Sequence, residues 1–238
     1  MKKVEELAVK VFADGADLTG MLEMYAKPFI KGFTTNPTSM RKAGVDDYRG
    51  FAREVLRAIP DRPISFEVFS DEFDEMERQA LDIAGWGENV YVKVPVTNTR
   101  REPSYELVGR LAGRGVKVNV TAVLTLGQVR KIVERLDPDT ASYVSVFAGR
   151  IADTGRDPIP LMAEALEVLK ARPRAELIWA SPRELLNVFQ AEEIGCHVIT
   201  VKNDILRKLA LVGYDLDDYS LDTVKMFRSD AVAASYRL

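Results

Sequence analysis

Two hydrophobic patterns alternate along the chain from one end to the other. Short runs rich in β-branched and aromatic residues are typical of strands, and the stretches between them repeat apolar positions every three or four residues, as amphipathic helices do. Strands are predicted at residues 9–14, 30–35, 64–69, 90–96, 116–123, 143–149, 175–181 and 196–202. Helices are predicted at residues 38–59, 72–87, 126–136, 159–171 and 183–194, among others. Eight successive strand and helix pairs predict an α/β fold of the TIM (β/α)8 barrel type.

An open, doubly wound sheet would also alternate strands and helices, but such sheets usually have fewer strands than this chain provides. The barrel is therefore the favoured fold. No stretch rich in Pro, Gly or Ser separates the pairs. Residues 1–238 are thus expected to form a single barrel domain, with a C-terminal helix at about 220–236.

Alternation within the strands predicts which side chains point into the barrel. Valine occupies every second position of 90–96, so Lys93 falls on the opposite, inner face. The expected outward-facing residues of the other strands include Val9, Val11, Ala13, Ile64, Phe66, Val68, Val116, Val118, Val120, Ala122, Val144, Val146 and Ala148. The expected inward-facing residues include Asp14, Glu67, Asn119, Thr121, Ser145 and Phe147. They lie toward the carboxyl ends of their strands, where barrels of this type build active sites.

This inward cluster suggests carbonyl chemistry. A buried charge is costly unless it is paired, so Lys93, Asp14 and Glu67 are expected to need each other or a ligand. For Lys93 alone, a structural ion pair is an equally good interpretation. Burial favours the neutral form of an amine, and a free amine attacks a carbonyl carbon to give a Schiff base that permits cleavage of the neighbouring C–C bond. Carboxylates move the protons, directly or through a water held by Thr121.

A second group of side chains is suited to binding the substrate. Asn36 and Asn119 are candidates to bind sugar hydroxyl groups, while Arg150, Ser181 and Arg183 follow predicted strands and could bind a phosphate. Arg183 taken alone would more often be a surface charge at a helix start. The chain has no GxGxxG after a strand and no GxxxxGK[ST], so nothing indicates a nucleotide site. No organic cofactor is required.

The amino-acid composition argues against several classes of function and binding site. With 33 Lys and Arg against 36 Asp and Glu, the net charge is −3. A chain of this charge has no overall positive field to attract nucleic acid or an anionic membrane. The single cysteine, Cys196, excludes an intrachain disulfide, and the single histidine, His197, excludes sites that need several imidazoles, so no metal is expected. Both are interpreted as packing residues. No apolar stretch reaches the roughly 20 residues of a membrane span, and the N-terminus lacks a signal-peptide pattern, so a cytoplasmic location is expected.

Five ordered motifs resemble the transaldolase family: GFTTNPTSM at 32–40, VYVKVPVT at 90–97, VNVTAV at 118–123, SVFAGRIAD at 145–153 and WASPRE at 179–184. The resemblance implies a class I aldolase-type barrel that transfers a dihydroxyacetone unit between sugar phosphates, as in the pentose phosphate pathway. It implies Lys93 as the Schiff-base lysine, Asp14 as the proton-transfer aspartate, and Glu67 and Thr121 as the residues of the catalytic water. It also implies sugar binding by Asn36, Asn119 and Ser145, and phosphate binding by Arg150, Ser181 and Arg183.

The fructose-6-phosphate aldolases are a sister group with similar motifs, and they cleave the sugar reversibly instead of transferring it. That group has Gln where this chain has Glu67 and Tyr where it has Phe147, so both positions favour a transaldolase. The stretches TNTRREPSYEL after the fourth strand and NDILRKLALVGYDLDDYSLDTVKMF after the eighth depart from the small family members. Another anionic sugar, such as a sulfonated one, and a catalytically silent phosphosugar-binding barrel therefore remain alternatives. A homo-oligomer is expected, of unspecified size.

Overall fold

Eight parallel strands close into a barrel in which each strand pairs with its neighbours in sequence and β1 pairs with β8. The structure is a computed structural model that describes residues 3–237; residues 1, 2 and 238 of the predicted domain lie outside it. The strands are β1 (Lys10–Asp14), β2 (Ile30–Thr34), β3 (Ile64–Glu67), β4 (Val90–Pro95), β5 (Val118–Val123), β6 (Ser142–Val146), β7 (Ala175–Trp179) and β8 (Val198–Lys202). This arrangement confirms the predicted TIM barrel.

Helices connect the strands and surround the barrel. Those of the described residues are α1 (Leu18–Tyr25), α2 (Pro37–Lys42), α3 (Tyr48–Ala58), α4 (Phe73–Ala84), α5 (Tyr105–Gly113), α6 (Leu126–Arg135), α7 (Ala148–Ala152), α8 (Ile159–Leu169), α9 (Leu186–Glu193), α10 (Asn203–Leu206) and α11 (Leu216–Ala233). Several begin at a capping side chain: Asp17 accepts a hydrogen bond from the Gly20 N–H, and Thr125 forms a reciprocal capping pair with Gln128. The C-terminal helix expected at about 220–236 is α11.

The alternation of the strands separates two cores. The valines of β4, together with Val11, Phe66 and Val144, belong to the large apolar core between barrel and helices. An inner cluster of Phe12, Tyr143, Ile178, Ala180 and Val198 packs inside the barrel, with Tyr91 and Phe147 against it. Tyr91 and Tyr143 precede Lys93 and Ser145 by two residues on the same faces. Tyr91 and Tyr143 therefore lie below the polar residues, toward the amino-terminal side of the barrel, whereas Ala180 and Phe147 follow β7 and β6 at its carboxyl end.

One outward-facing residue was predicted wrongly. Ala122 has a positive φ of 60°, and the register between β5 and β6 shifts between Val120 and Val123. The irregularity adds a residue and breaks the two-residue period, so Val123 takes the next place in the outer core.

The helix predicted at 38–59 is two helices. Gly44 has a φ of 72°, a left-handed conformation that ends α2, and Asp47 starts α3 by accepting a hydrogen bond from the Gly50 N–H. The apolar periodicity continues across the turn and hides the break.

Several predicted strands run too far. β6 ends at Val146 instead of residue 149, because the Arg150 and Ile151 N–H groups already donate to the Phe147 carbonyl and begin α7. β8 begins at Val198 instead of residue 196, because the Cys196 N–H donates to the Ala191 carbonyl at the end of α9. In both cases an apolar run continues into a turn or helix.

Candidate active site

Lys93 is the centre of a polar cluster at the carboxyl end of the barrel. Lys93 is 6% exposed. Its Nζ lies 3.2 Å from Glu67 Oε2 on the neighbouring strand β3. The same nitrogen donates to the backbone carbonyl of Thr35, 2.9 Å away. The Glu67 side chain is 17% exposed, so the pair is held largely out of water. The pair neutralises two charges that neither strand could bury alone.

Asp14 enters the same end of the barrel from β1, but through different partners. Its Oδ1 accepts a hydrogen bond from the Thr34 hydroxyl at 2.9 Å, and Thr34 in turn contacts the hydroxyl of Thr200 on β8. Among the described residues, the ion-pair partner of Lys93 is Glu67 and not Asp14. The structure thus separates the two predicted carboxylates: one is paired with the lysine, and the other is held by hydroxyl groups.

Asn119 and Ser145 form a buried hydrogen-bond chain beside the lysine. Asn119 is paired in register with Lys93; its amide donates to Ser65 Oγ at 3.0 Å and accepts from the Ser145 hydroxyl at 2.7 Å. All three polar side chains are almost completely buried. Such a satisfied network holds its members in fixed orientations.

Thr121 carries a buried hydroxyl group at the same end of the barrel. Its Oγ1 is buried and makes no hydrogen bond with another described residue. A buried polar group left unpaired costs roughly 1–3 kcal/mol. Thr121 is paired in register with Pro95 of β4, two residues beyond the pair of Lys93 with Asn119.

Asn36 lies at the end of β2, where it starts α2. Its Oδ1 accepts from the Ser39 N–H at 2.8 Å, so its carbonyl oxygen is used as a helix cap. Its amide nitrogen makes no hydrogen bond among the described residues. The structure therefore leaves the donor half of this side chain available.

The predicted anion-binding residues form a second cluster after β6 and β7. Arg183 Nη1 donates to Ser181 Oγ at 3.0 Å, and its Nε donates to Asp153 Oδ1 at 2.8 Å. The Arg183 guanidinium lowers the pKa of Asp153, and the Asp153 carboxylate raises the pKa of Arg183. The Arg150 guanidinium lies over the Phe147 ring, 5.4 Å from its centroid. The predicted set is thus brought together, with Asp153 as an unpredicted member.

Backbone geometry fixes this second cluster. Ser181 has a positive φ of 60°, and the backbone of Gly149 lies so close that a Cβ there would meet the Ser181 carbonyl oxygen at 1.6 Å. Only glycine fits that approach without a backbone shift. The glycine of the SVFAGRIAD motif is therefore needed for packing against the turn that carries Ser181 and Arg183.

Several site residues were missed at the sequence level. Ser65 lies on the inward face of β3, so the alternation rule would have found it. Thr34, Thr35 and Thr200 contribute through hydroxyl or carbonyl groups at strand ends. Asp153 is the C-cap residue of α7, three residues after Arg150. No spacing rule links these residues, because their contacts run between strands far apart in sequence.

The stretch between β4 and α5 makes several backbone and ion-pair contacts at this end of the barrel. Thr97 and Pro103 form an isolated antiparallel bridge, and Arg100 between them makes ion pairs with Asp71, Glu72 and Glu102. The loop after β4 is therefore bound by ion pairs to the loop after β3, which follows Glu67.

Cys196 and His197 lie at the amino end of β8, away from this site. Burial raises the pKa of the Cys196 thiol to about 12. Burial lowers the pKa of His197, whose Nδ1 accepts the Leu177 N–H at 3.0 Å. The Leu177 N–H belongs to the backbone of β7, so the His197 ring contacts the barrel wall.

Metal-binding clusters and membrane-spanning helices are both absent from the described residues. No group of three or more His, Cys, Asp or Glu side chains in residues 3–237 is placed to hold a metal ion. In the same range, no helix is long and apolar enough to span a membrane.

Comparison of structures supports the fold. A dihydrodipicolinate synthase from Rhodopseudomonas palustris superposes with a TM-score of 0.57 at 14% identity, over 93% of this chain and 80% of that one. A 3-hexulose-6-phosphate synthase from Salmonella typhimurium gives 0.56 at 18% identity, over 84% and 91%. At these identities the likeness concerns the barrel alone.

Comparison of sequences is more specific. A protein of Methanococcus maripaludis named "Probable transaldolase" is 33% identical over 202 residues, 84% of this chain and 89% of that protein. A protein of the same name from Thermoanaerobacter sp. is 31% identical over 218 residues, 91% and 95% of the two chains. The sequence pattern of the family described as "Transaldolase/Fructose-6-phosphate aldolase" matches residues 11–237. That range contains the whole barrel except Lys10, the first residue of β1, and every residue of both polar clusters, and so this chain belongs to the transaldolase and fructose-6-phosphate aldolase family of aldolase-type enzymes.

Proposed function

We propose that this protein is a transaldolase, which transfers a dihydroxyacetone unit from a ketose phosphate to an aldose phosphate through a Schiff base on Lys93. The observation that carries the proposal is the buried Lys93 nitrogen at the carboxyl end of the barrel, 3.2 Å from the Glu67 carboxylate. The amine and the carboxylate are within the distance at which a proton passes between them or through one water. The ketose is fructose 6-phosphate or sedoheptulose 7-phosphate.

The first half of the reaction forms the imine. Once Lys93 has lost a proton, its nitrogen attacks the C2 carbonyl carbon of the ketose, and the carbonyl oxygen takes up a proton to give a carbinolamine. A second proton leaves with that oxygen as water, and a protonated imine remains. Glu67 supplies and recovers these protons, with the water held by the otherwise unpaired Thr121 hydroxyl.

The second half moves the three-carbon unit. Asp14 takes the proton of the C4 hydroxyl, the C3–C4 bond breaks, and its electron pair passes toward the iminium nitrogen to form an enamine. The aldose phosphate leaves with its new C4 aldehyde. An acceptor aldehyde then takes its place, the enamine C3 attacks it, and Asp14 returns the proton to the new hydroxyl. Water finally hydrolyses the imine.

Substrate binding follows from the second cluster. Arg150, Arg183 and Ser181 supply donors for the terminal phosphate or another anionic group of the sugar. Because Asp153 already accepts from Arg183, the incoming anion has to share that guanidinium. We infer that the Asn36 amide nitrogen, Asn119 and Ser145 bind sugar hydroxyl groups, because the second N–H of Asn119 and the lone pairs of Ser145 are not used by their mutual hydrogen bond.

A sugar-cleaving aldolase is the alternative within the same family. Phe147 is the observation that favours transfer, because its ring offers no hydroxyl to protonate the enamine. Without that proton the three-carbon unit stays on the lysine until an acceptor arrives.

For assembly, we propose that copies of the chain associate through α11. None of its residues is buried in the described part of the chain, and Leu216 and Phe227 are 80% and 63% exposed. Leu221 and Val224 on the same helix are also exposed, at 51% and 58%. A row of exposed apolar side chains on one helix fits a contact with the same helix of another copy.

Borohydride trapping tests the Schiff base. Fructose 6-phosphate and borohydride should label the protein irreversibly at Lys93, and Lys93→Met should abolish the label, as peptide mass spectrometry would show. Lys117→Met is the matched control, because Lys117 lies before β5 at the opposite end of the barrel, where its Nζ donates to the Glu88 carbonyl. A label that survives Lys93→Met would remove Lys93 from the mechanism.

A further inference from the structure

The hydrogen-bond ladder between β2 and β3 stops short beside the site. Phe33 pairs with Ile64 and Thr34 with Ser65, and the Thr35 N–H still donates to the Ser65 carbonyl at 3.1 Å. In a regular parallel ladder the next bond would run from the Glu67 N–H to the Thr35 carbonyl. Both residues are described, and this bond is absent. The ladder therefore opens at the residue that carries the candidate carboxylate.

The hydroxyl of Tyr48 hydrogen-bonds the Glu67 backbone on the side that faces β2. Tyr48 is the first residue of α3; its Oη accepts the Glu67 N–H at 2.8 Å and donates to the Glu67 carbonyl at 2.8 Å. One side chain thus satisfies both backbone groups that Glu67 directs toward β2, and the Glu67 carbonyl would have met Pro37, which has no N–H. Burial raises the pKa of Tyr48, so the phenol keeps its proton as a donor.

Aromatic packing holds that hydroxyl in place. The Tyr48 ring meets Phe66 and Phe69 edge-on at 6.4 and 5.6 Å between centroids, and Trp86 at 5.9 Å. Aromatic rings in such arrangements have preferred orientations. The ring cannot turn without disturbing these contacts, so the position of the hydroxyl is set by the outer core.

On the β2 side of this gap, the Lys93 side chain hydrogen-bonds the free backbone carbonyl. The Thr35 carbonyl, which lost its strand partner, accepts from Lys93 Nζ at 2.9 Å. Thr35 itself is completely buried. The lysine nitrogen has therefore replaced the Glu67 N–H at this carbonyl, and the same opening provides both the acceptor and the carboxylate that face it.

We propose that Tyr48 is a positioning residue: its hydroxyl holds the β2–β3 ladder open at Glu67 and so leaves the Thr35 carbonyl free to orient the nitrogen of Lys93. An amine that donates one N–H to a fixed carbonyl has only two directions left for its lone pair, and the later iminium has a single N–H to place on the same carbonyl. Rate depends steeply on such orientation. The effect on turnover rests on the proposed Schiff-base function; the effect on the ladder does not.

Tyr48→Phe tests the proposal, because it removes the hydroxyl and keeps the ring. With that variant we expect kcat and the rate of borohydride trapping to fall together by about tenfold or more, while KM for the ketose phosphate stays within about twofold. Trp86→Phe is the matched control: it trims the same aromatic cluster but leaves the hydroxyl, and it should keep the trapping rate even where its melting temperature drops.

A crystal structure of Tyr48→Phe gives a readout that does not depend on activity. The Glu67 N–H should close onto the Thr35 carbonyl, and Lys93 Nζ should move away from it. Should the variant not fold, a fluorotyrosine at position 48, whose hydroxyl is a weaker acceptor, should slow trapping in the folded protein.

The outcomes separate this proposal from the proposed function. Unlabelled wild-type protein would refute the Schiff-base function, and the crystal structure would then decide the proposal. An intact contact between Lys93 and Thr35 in Tyr48→Phe would overturn it. So would an unchanged trapping rate, or an equal loss of trapping in Trp86→Phe, which would make the role of Tyr48 one of stability alone.

Discussion

At the scale of single residues, the arrangement of charges gives each candidate its task. Lys93 meets one carboxylate and one carbonyl, whereas Asp14 is held by the hydroxyl of Thr34 and has no contact with the lysine nitrogen within ion-pair distance. Two carboxylates in different environments are suited to different proton transfers. Glu67 is placed for steps at the nitrogen, and Asp14 for steps further along the sugar.

Phe147 is the residue on which the choice between transfer and cleavage should depend. Phe147→Tyr adds a hydroxyl beside the enamine, and a positioned acid of this kind contributes a hundredfold or more in favourable cases. We expect the ratio of free dihydroxyacetone released to sugar transferred to rise by about tenfold. The products can be quantified by chromatography.

Phe51→Tyr on α3 is the control, since it adds the same hydroxyl to a partly buried phenylalanine of the outer core. If Phe147→Tyr leaves the ratio of cleavage to transfer unchanged, the proposed role of this ring is wrong.

At the scale of elements, the sequence predicts strands better than their ends. All eight strands follow from runs such as VYVKVPV, because β-branched residues on alternate positions have a direct structural meaning. The positions of Lys93, Glu67 and Asn119 follow from the same alternation. What alternation cannot show is the break in a ladder or a helix: the left-handed Gly44 divides α2 from α3, and the start of α3 brings Tyr48 against Glu67. Such contacts depend on how the elements pack.

His197 links two of these elements in a way that depends on pH. Its Nδ1 accepts the Leu177 N–H of β7, and burial lowers its pKa below the value of about 6.5 that it would have in the unfolded chain. The contribution of the neutral ring to folding is therefore complete above about pH 6.5, and it is lost as the pH falls through the folded-state pKa.

His197→Asn keeps an acceptor at this position and removes the titration. Between pH 7.5 and 5.5, we expect the melting temperature of the wild-type protein to fall by about 1–2 °C more than that of the variant. Equal decreases in thermal melts of both proteins would show that His197 does not contribute to the acid sensitivity.

At the scale of the whole molecule, α11 is the element that the barrel leaves uncovered. Leu221, Val224 and Phe227 recur every three residues along it, and all three are exposed. A helix of 18 residues without a packed face gains little stability alone. The proposed association predicts that the wild-type protein sediments as more than one copy.

Phe227→Asp should shift this protein toward the monomer in sedimentation velocity experiments, because it places a charge within the apolar row. Ser229→Asp adds the same charge to an exposed polar position of the same helix and should leave the assembly intact. A monomeric wild-type protein, or two variants that sediment as the wild type does, would contradict the association through α11.

Transfer of a three-carbon unit can be measured by incubating the purified protein with fructose 6-phosphate, with and without erythrose 4-phosphate, and following the glyceraldehyde 3-phosphate released. We expect release that depends on the acceptor, with formation of sedoheptulose 7-phosphate. Sustained release without the acceptor, with accumulation of free dihydroxyacetone, would contradict it and assign the protein to the cleaving aldolases, and no release in either reaction would contradict it as well.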